Sequence, residues 1–188
     1  MIRAILIVET LLAPLAALGV VLAFLFSPKR GRLDGLAAEL PERFGFVPQE
    51  VRSRLAGREV WWLHAASAGE VGGLSPIIEA VSLRPDNPAV VLTTTTISGR
   101  EAARNVPGVA WAQLAPLDAW PCVSRFLSAL RPTRLILSET ELWPSTLILA
   151  ARAGLAPCLV NARLTQKSFS RYVQISKLMA PVLRSLSL

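Results

Sequence analysis

Residues 61–73 read WWLHAASAGEVGG, and this stretch decides the fold of the chain. Its first part is an apolar run of strand length, its centre is a turn of small residues, and its end suits the start of a helix. Glu70 lies at the corner between strand and helix. Parallel α/β sheets bind ligands outside the carboxyl ends of their strands, so the stretch predicts a strand–helix unit with a binding site.

Apolar runs alternate with helix-compatible segments along the rest of the chain. The predicted strands are Val60–Ala66, Ala89–Thr95, Val109–Ala115, Arg134–Ser138 and Ala156–Asn161. The predicted helices are Glu70–Leu83, Ser98–Asn105, Asp118–Leu130 and Trp143–Arg152. We expect Ser98 and Asp118 as N-caps and Gly154 as a C-terminal stop. Continuous apolar strands indicate a parallel sheet covered by helices on both faces, so the pattern predicts a Rossmann-like α/β domain over residues 60–188.

Residues 4–26 are almost entirely apolar, with Glu9 as their one charged residue. A helix of about 20 residues spans a bilayer, so the segment is long enough to cross one. A buried or interfacial helix is the alternative, because Glu9 is costly in the middle of a bilayer. A cleaved signal peptide is disfavoured, because FLFSP over residues 24–28 offers no small-residue cleavage site. We expect a membrane-anchor helix over residues 1–27.

Basic residues follow the apolar segment directly, at Lys29, Arg30 and Arg32, which places the rest of the chain in the cytoplasm by the positive-inside rule. The net charge of +7 suits an anionic partner such as a membrane surface or a phosphorylated substrate. Nucleic acid is disfavoured, because the basic residues are spaced singly and no known nucleic-acid module is present. Composition predicts a basic linker over residues 28–59, in which ERFG at 42–45 forms a surface turn anchored by Phe44.

Residues that bind metals are few and far apart. The chain has two cysteines, Cys122 and Cys158, and a single histidine, His64. No pair of them has the spacing of zinc ligands, so we expect no metal site. His64 lies inside a predicted strand and is interpreted as a core residue.

Polar residues follow four of the predicted strands, at residues 67–70, 93–96, 138–141 and 161–163. These positions converge at one edge of a parallel sheet. Glu70 has two interpretations that stay open: a helix-start glutamate stabilised by the macrodipole, or a general base. As a base, Glu70 would need desolvation or a neighbouring carboxylate to raise its basicity, and Glu139 or Glu141 could be that neighbour. The candidate substrate-binding residues are Ser67, Gly69, Thr94, Thr95, Thr96, Glu141 and Arg163.

These candidates also have structural explanations. The threonines could simply be β-branched residues at the end of a strand. In the functional interpretation, their hydroxyls bind sugar or phosphate oxygens. Arg163 could pair with Glu139 or Glu141, or bind an anionic group of a ligand. The glycine beside Glu70 would let a substrate approach the backbone closely.

Six motifs together resemble one family. They are ERFG at 42–45, WLHAASAGEV at 62–71, LTTTTISG at 92–99, APLD at 115–118, SETELWP at 138–144 and LVNARL at 159–164. In order and spacing they resemble the Kdo transferases, the inner-membrane glycosyltransferases that attach 3-deoxy-D-manno-octulosonic acid (Kdo) to a lipid A precursor.

The resemblance implies an inverting GT-B enzyme without a cofactor, held at the inner membrane with its catalytic part facing the cytoplasm. Its N-terminal domain would bind the acceptor, lipid IVA, and its C-terminal domain the donor, CMP-Kdo. Glu70 would be the base and Glu139 would position the acceptor or tune Glu70. The resemblance covers the N-terminal half of such an enzyme, so the donor domain is expected to be absent and the chain inactive alone. Two alternatives remain: a stand-alone, non-catalytic lipid-binding module anchored to the membrane, and another membrane-associated GT-B glycosyltransferase.

Overall fold

The computed structural model describes residues 39–139, 142–174 and 176–186. The strands are β1 (Val60–Ala65), β2 (Ala89–Thr94), β3 (Val109–Leu114), β4 (Arg134–Ser138) and β5 (Ala156–Val160). The helices are α1 (Gln49–Leu55), α2 (Ala68–Ser82), α3 (Ile97–Arg104), α4 (Trp120–Leu130), α5 (Pro144–Arg152), α6 (Gln166–Gln174) and α7 (Ser176–Leu183). A helical segment at 39–43 precedes them.

The five strands form one parallel sheet in the order β3-β2-β1-β4-β5. This order confirms the predicted Rossmann-like α/β fold. The chain leaves β1 toward β2 on one side and later returns to place β4 on the other side of β1. The resulting switch point between β1 and β4 is where such sheets hold their ligands.

Helices cover both faces of the sheet, which is why its strands are continuously apolar. Leu63 packs in one buried cluster with residues of α2 and α3. Its neighbour Trp62 points to the opposite face, into a second cluster formed with α1, α4, α5 and α7. There the rings of Trp62 and Phe126 lie 4.7 Å apart between centroids. Burying a large apolar side chain stabilises the fold by about 2 kcal/mol, so these two clusters hold the sheet and helices together.

The segment that composition assigned to a linker is partly folded. α1 buries Val51 and Leu55 against the sheet, at positions four residues apart on one face of the helix. Helix 39–43 continues past Pro41, and the side chain of Glu42 accepts a hydrogen bond from the Leu114 N–H at 2.6 Å. The many charges of residues 28–59 concealed this contribution to the core.

Two predicted caps were wrong in detail. Thr96, not Ser98, caps α3, because the helix begins at Ile97 and the Thr96 hydroxyl accepts the Gly99 N–H at 3.1 Å. Asp118 does not cap the helix that follows it, because α4 begins at Trp120 and has no side-chain cap. Gly154 follows the end of α5 at φ +83, as expected of a helix stop.

The predicted anchor helix over residues 1–27 lies outside the described residues. Across the part of the chain that the structure describes, every helix is too short or too polar to cross a bilayer.

Candidate active site at the switch point

The corner between β1 and α2 holds Glu70 in a fixed orientation. Ser67 is the N-cap of α2 and accepts from the Glu70 N–H at 3.5 Å. The carboxylate reaches back, accepting from the Ser67 hydroxyl at 3.0 Å through Oε1 and from the Ala66 N–H at 2.9 Å through Oε2. This arrangement is a variant of the capping box, in which the glutamate accepts from the N–H before the N-cap and from the N-cap hydroxyl. A carboxylate has about four lone-pair sites, so one bond to each oxygen leaves capacity for a substrate hydroxyl.

Ala66 joins this corner to the next one. Its carbonyl accepts from the backbone N–H groups of Thr95 and Thr96, each at 3.2 Å, and from the Thr96 hydroxyl at 3.3 Å. Its own N–H donates to Glu70. The loop after β2 and the carboxylate of Glu70 are therefore held by the same peptide unit.

The three candidate threonines have different environments. The Thr94 hydroxyl is buried and donates to the Thr96 carbonyl at 3.0 Å. The Thr96 hydroxyl caps α3. Thr95 lines a cavity, and its hydroxyl oxygen is buried without a hydrogen bond to any described residue. Of the three, Thr95 is the one that lines this cavity, and its hydroxyl oxygen has no surface exposed to it.

Glu139 follows β4 directly and has φ +57, in the left-handed region. Its N–H donates to the Val160 carbonyl at 2.8 Å, which fixes it beside the end of β5. Such a backbone costs about 1–3 kcal/mol for a residue with a side chain, and residues of this kind cluster at functional sites. Glu141 lies outside the described residues.

The remaining candidates lie on the surface. Gly69 is exposed in the first turn of α2, beside Ser67. Arg163 is exposed after β5 and borders an apolar groove formed with α6 and α7. The structure therefore brings Ser67, Gly69 and Glu70 together, and Arg163 borders the groove beside α6 and α7.

A cavity of about 200 Å³ lies at the carboxyl edge of the sheet. Its walls are formed by Arg43, Trp62, His64, Thr95, Ala115, Pro116, Leu117, Asp118, Leu137, Trp143 and Thr146. Arg43 donates from Nη2 to the Thr95 carbonyl at 2.5 Å and from Nη1 to the Ala115 carbonyl at 3.5 Å. Burial lowers the pKa of Arg43, while nearby Glu39 and Glu42 act in the opposite direction.

His64 is buried in the sheet, as the sequence predicted. Its Nδ1 lies 3.0 Å from the Thr93 hydroxyl, and its ring meets Trp143 edge-on at 6.2 Å between centroids. Burial lowers the pKa of His64 to about 4, so the imidazole is neutral at neutral pH.

Asp118 caps α5 from a distant loop. Its Oδ1 accepts from the N–H and the hydroxyl of Thr146 at 2.7 and 2.8 Å, and its Oδ2 accepts from the Ser145 N–H at 3.0 Å. Burial raises the pKa of Asp118, and the hydrogen bonds from Thr146 and Ser145 oppose the rise. The start of α5, and with it Trp143, is thereby tied to the loop after β3.

The family model of 3-deoxy-D-manno-octulosonic-acid transferases matches residues 38–188, which include the whole sheet and every residue of this site. The chain belongs to the Kdo transferase family.

Individual relatives agree with this assignment. A probable mitochondrial 3-deoxy-D-manno-octulosonic acid transferase of Arabidopsis thaliana is 40% identical over 145 residues, covering 75% of this chain and 31% of the relative. The 3-deoxy-D-manno-octulosonic acid transferase of Bordetella pertussis is 32% identical over 155 residues, covering 78% of this chain and 35% of its own length. That of Rickettsia felis is 33% identical over 134 residues, covering 69% and 28%. The chain spans about a third of the length of these curated relatives.

Sequence interpretation missed Glu42 and Arg43 in this member of the Kdo transferase family. The ERFG stretch is not a surface turn anchored by Phe44, because Phe44 is 39% exposed while the two charged residues point inward. Glu42 forms an ion pair with Arg100 at 3.0 Å. The available signal was Gly45, whose close backbone approach requires the preceding residues to lie against the fold.

The groove beside Arg163 has a volume of about 400 Å³ and is lined mainly by apolar side chains. Leu164, Phe169, Val173 and Leu183 line it, and each is about half exposed. Exposed apolar patches of this kind mark sites that bind lipids, membranes or other proteins.

Within the described residues, no cluster of three or more histidine, cysteine or acidic side chains could hold a metal ion.

Proposed function

We propose that this chain forms the acceptor-binding part of a glycosyltransferase that moves Kdo from CMP-Kdo to a lipid A precursor, lipid IVA. The proposal rests on the position of Glu70, which is held at the switch point of the sheet. The Kdo transferase family model matches all five strands of this sheet. The proposal assigns CMP-Kdo to a second domain, since the aligned segment covers only 31% and 35% of two of the relatives.

Glu70 is the general base in this proposal. Its carboxylate takes the proton of the acceptor hydroxyl while that oxygen attacks the anomeric carbon of Kdo. The new glycosidic bond forms as the bond to the phosphate of CMP breaks, and CMP leaves with the electron pair. A single displacement of this kind inverts the anomeric configuration. The capping bonds from Ala66 and Ser67 support the role, because they hold the carboxylate in one orientation before the substrate arrives.

Glu139 positions the acceptor or tunes Glu70. Its φ of +57 supports a functional role, because a strained backbone at a non-glycine residue is kept where the side chain is needed. Ser67, Gly69 and the loop over Thr94, Thr95 and Thr96 contribute contacts to the acceptor. Ser67 also acts through Glu70, to which its hydroxyl donates.

The apolar groove supports a lipid acceptor. It offers aliphatic and aromatic surface for acyl chains, and Arg163 at its border suits an anionic headgroup. The excess of positive charge over the whole chain also suits the cytoplasmic surface of the inner membrane, where we place the protein.

The test compares two substitutions on α2 in the protein expressed from its complete gene. Glu70→Gln keeps the shape of the side chain and removes the base, and we expect kcat for transfer from CMP-Kdo to lipid IVA to fall about 10²- to 10⁴-fold. Glu79→Gln is the matched control, because Glu79 is an exposed glutamate on the same helix. It should leave the rate unchanged.

Two outcomes would contradict the proposal, and they are distinct. A wild-type rate in Glu70→Gln would remove Glu70 from the role of base. A complete wild-type protein that transfers no Kdo from CMP-Kdo would overturn the assigned reaction.

A further inference from the structure

Asp118 belongs to the loop after β3, and its carboxylate is bonded to the first turn of α5. The donors are the Ser145 N–H at 3.0 Å, and the N–H and the hydroxyl of Thr146 at 2.7 and 2.8 Å. Within the described residues, Trp143, which precedes α5, gives that helix no side-chain cap. Asp118 therefore satisfies the backbone donors that a local cap would otherwise satisfy.

A cap from a distant loop does something that a local cap does not. A serine or asparagine directly before α5 would accept the same N–H groups and would also stabilise the helix. The bonds to Asp118 in addition fix where α5 begins relative to the loop after β3. That loop is itself held, because the Leu117 N–H donates to the Arg43 carbonyl at 2.8 Å. Asp118 therefore ties the start of α5 to a fixed point of the fold.

The chain between β4 and α5 is short, and its two ends are held by different elements. At the first end, the Glu139 N–H donates to the Val160 carbonyl of β5 at 2.8 Å. At the second end, Trp143 precedes the helix that Asp118 caps, and its ring meets His64 of β1 edge-on at 6.2 Å between centroids. One end is therefore fixed by β5 and the other by Asp118.

The backbone of Glu139 depends on how these ends are held. Its φ of +57 is strained for a residue with a side chain. A strained backbone persists only while the surrounding structure imposes it. Releasing the end at α5 would let Glu139 relax to an ordinary conformation, and its carboxylate would then point in another direction.

We propose that Asp118 is a positioning residue for the transfer reaction, which holds Trp143 and, through the short chain between β4 and α5, the carboxylate of Glu139. The inference rests on the proposed function, in which Glu139 positions the acceptor or tunes Glu70, and it adds the residue that keeps Glu139 in place. Asp118 acts through α5 and not on a substrate, because both of its carboxylate oxygens bind that helix.

The first measurement follows the position of Trp143 without any substrate. The protein expressed from its complete gene is labelled with 5-fluorotryptophan, and Trp143→Phe and Trp111→Phe identify two of the fluorine signals. In Asp118→Asn the amide offers one acceptor oxygen in place of two, so the start of α5 should detach and the Trp143 signal should shift or broaden. Trp111 is the internal reference, because it lies on β3 and donates to Gln113. An unmoved Trp143 signal in a folded Asp118→Asn protein would overturn the proposal.

Kinetics test whether this position matters for the reaction. At a temperature where every variant is folded, Asp118→Asn should lower kcat for transfer from CMP-Kdo to lipid IVA at least about tenfold. KM for CMP-Kdo should stay unchanged, because the donor is assigned to a second domain. Thr146→Val is a milder change that keeps the N–H bond to Asp118 and loses the hydroxyl bond, so kcat should fall about threefold. If Asp118→Asn does not fold, a wild-type kcat in Thr146→Val would overturn the proposal.

Ile148→Val is the control that separates positioning from stability. Ile148 is buried on α5, and the loss of one methyl group destabilises the fold without breaking a bond to Asp118. The variant should unfold at a lower temperature, while kcat and the Trp143 signal keep their wild-type values. A loss of kcat in Ile148→Val equal to that in Asp118→Asn would show that the stability of α5, and not its attachment to Asp118, controls the rate.

This inference and the proposed reaction fail in different ways. A complete wild-type protein that transfers no Kdo would overturn the reaction, and the fluorine signals would still decide whether Asp118 positions Trp143. Transfer by the wild-type protein, together with an unchanged kcat in a folded Asp118→Asn protein, would overturn the role of Asp118 alone.

Discussion

Glu139 and Arg131 both have backbone dihedral angles in the left-handed region, but Arg131 ends a helix and Glu139 follows a strand. Arg131 follows α4 at φ +46, and its N–H donates to the Leu127 carbonyl at 2.8 Å, which is an ordinary way to end a helix. Glu139 follows a strand at φ +57 and precedes the loop into α5. Glycine would adopt this conformation without strain. The strain at Glu139 therefore supports the positioning role proposed for its side chain.

Replacing Glu139 with glycine should therefore separate stability from activity. We expect Glu139→Gly to leave the free energy of unfolding unchanged or raise it by about 1 kcal/mol, because relief of left-handed strain offsets the greater chain entropy of glycine. Transfer of Kdo should fall at least about tenfold, since the positioning carboxylate is lost. Urea unfolding and initial rates with CMP-Kdo and lipid IVA measure the two effects.

Arg131→Gly is the control for this experiment. It relieves the same kind of strain at the far end of α4, so the rate should stay at the wild-type value. A wild-type rate in Glu139→Gly would show that the side chain serves neither the acceptor nor Glu70.

At the scale of elements, helix 39–43 and the turn after it pack against α4. Gly45 has φ +79, and a Cβ atom built on it would lie 2.0 Å from the Cys122 carbonyl oxygen. Arg125 of α4 donates to the Phe44 carbonyl at 2.6 Å, and its guanidinium lies 4.3 Å from the centre of the Phe46 ring. The turn therefore fixes helix 39–43, which carries Arg43 to the cavity and Glu42 to Leu114.

Two glycines with the same backbone allow this packing to be tested. Gly45→Ala should lower the free energy of unfolding by about 3 kcal/mol or more, because left-handed strain and a clash with backbone add together. Gly57→Ala should cost only about 1 kcal/mol, since Gly57 has φ +78 and no atom within 4 Å of the added methyl group. Denaturant titrations of the two variants provide the comparison. Equal losses would contradict the close packing of the turn on α4.

Elements built from local patterns were predictable from the sequence, and contacts between distant elements were not. The strands were recognised because each is a continuous apolar run, and four of them end one residue earlier than expected. Asp118 was recognised as a cap, but its partners Ser145 and Thr146 lie 27 and 28 residues further along the chain. Local sequence indicates that a carboxylate will accept N–H groups, and only the packed fold determines which helix supplies them.

The same limit applies to the site. Ser67 and Glu70 are three residues apart, so their capping box follows from a sequence pattern. Arg43 lies 52 residues from Thr95 and binds its carbonyl, a group that every residue possesses. No side-chain pattern identifies such a partner, which is why the cavity was absent from the sequence-based candidates.

At the scale of the whole molecule, His64 is a titratable group buried at the centre of the described sheet. It lies on the central strand β1, between Thr93 of β2 and Leu137 of β4. Burial is the main reason why the pKa of His64 is lowered. The positive charge of Arg43 also disfavours protonation of the imidazole. The stability of the whole fold is therefore coupled to the protonation of this one imidazole.

The coupling predicts how global stability depends on pH. The pKa of His64 is about 4 in the folded protein and about 6.5 in the unfolded chain, so between these values the unfolded chain binds more protons. Stability is then fully present above about pH 6.5 and is lost as the pH falls toward 4. We expect the free energy of unfolding to fall by about 2 kcal/mol between pH 8 and pH 5.

Urea unfolding at half-unit pH steps measures this curve, and His64→Asn is the matched variant because its amide nitrogen can occupy the position of Nδ1 beside Thr93. Asparagine does not titrate, so in the variant the free energy of unfolding should change little between pH 5 and pH 6.5. Carboxyl groups of the unfolded chain are largely ionised in this range and contribute little to the change. Below about pH 4.5 both proteins should lose stability as carboxylates protonate. An equal slope in the two proteins above pH 5 would show that another group, and not the buried imidazole, links folding to protons.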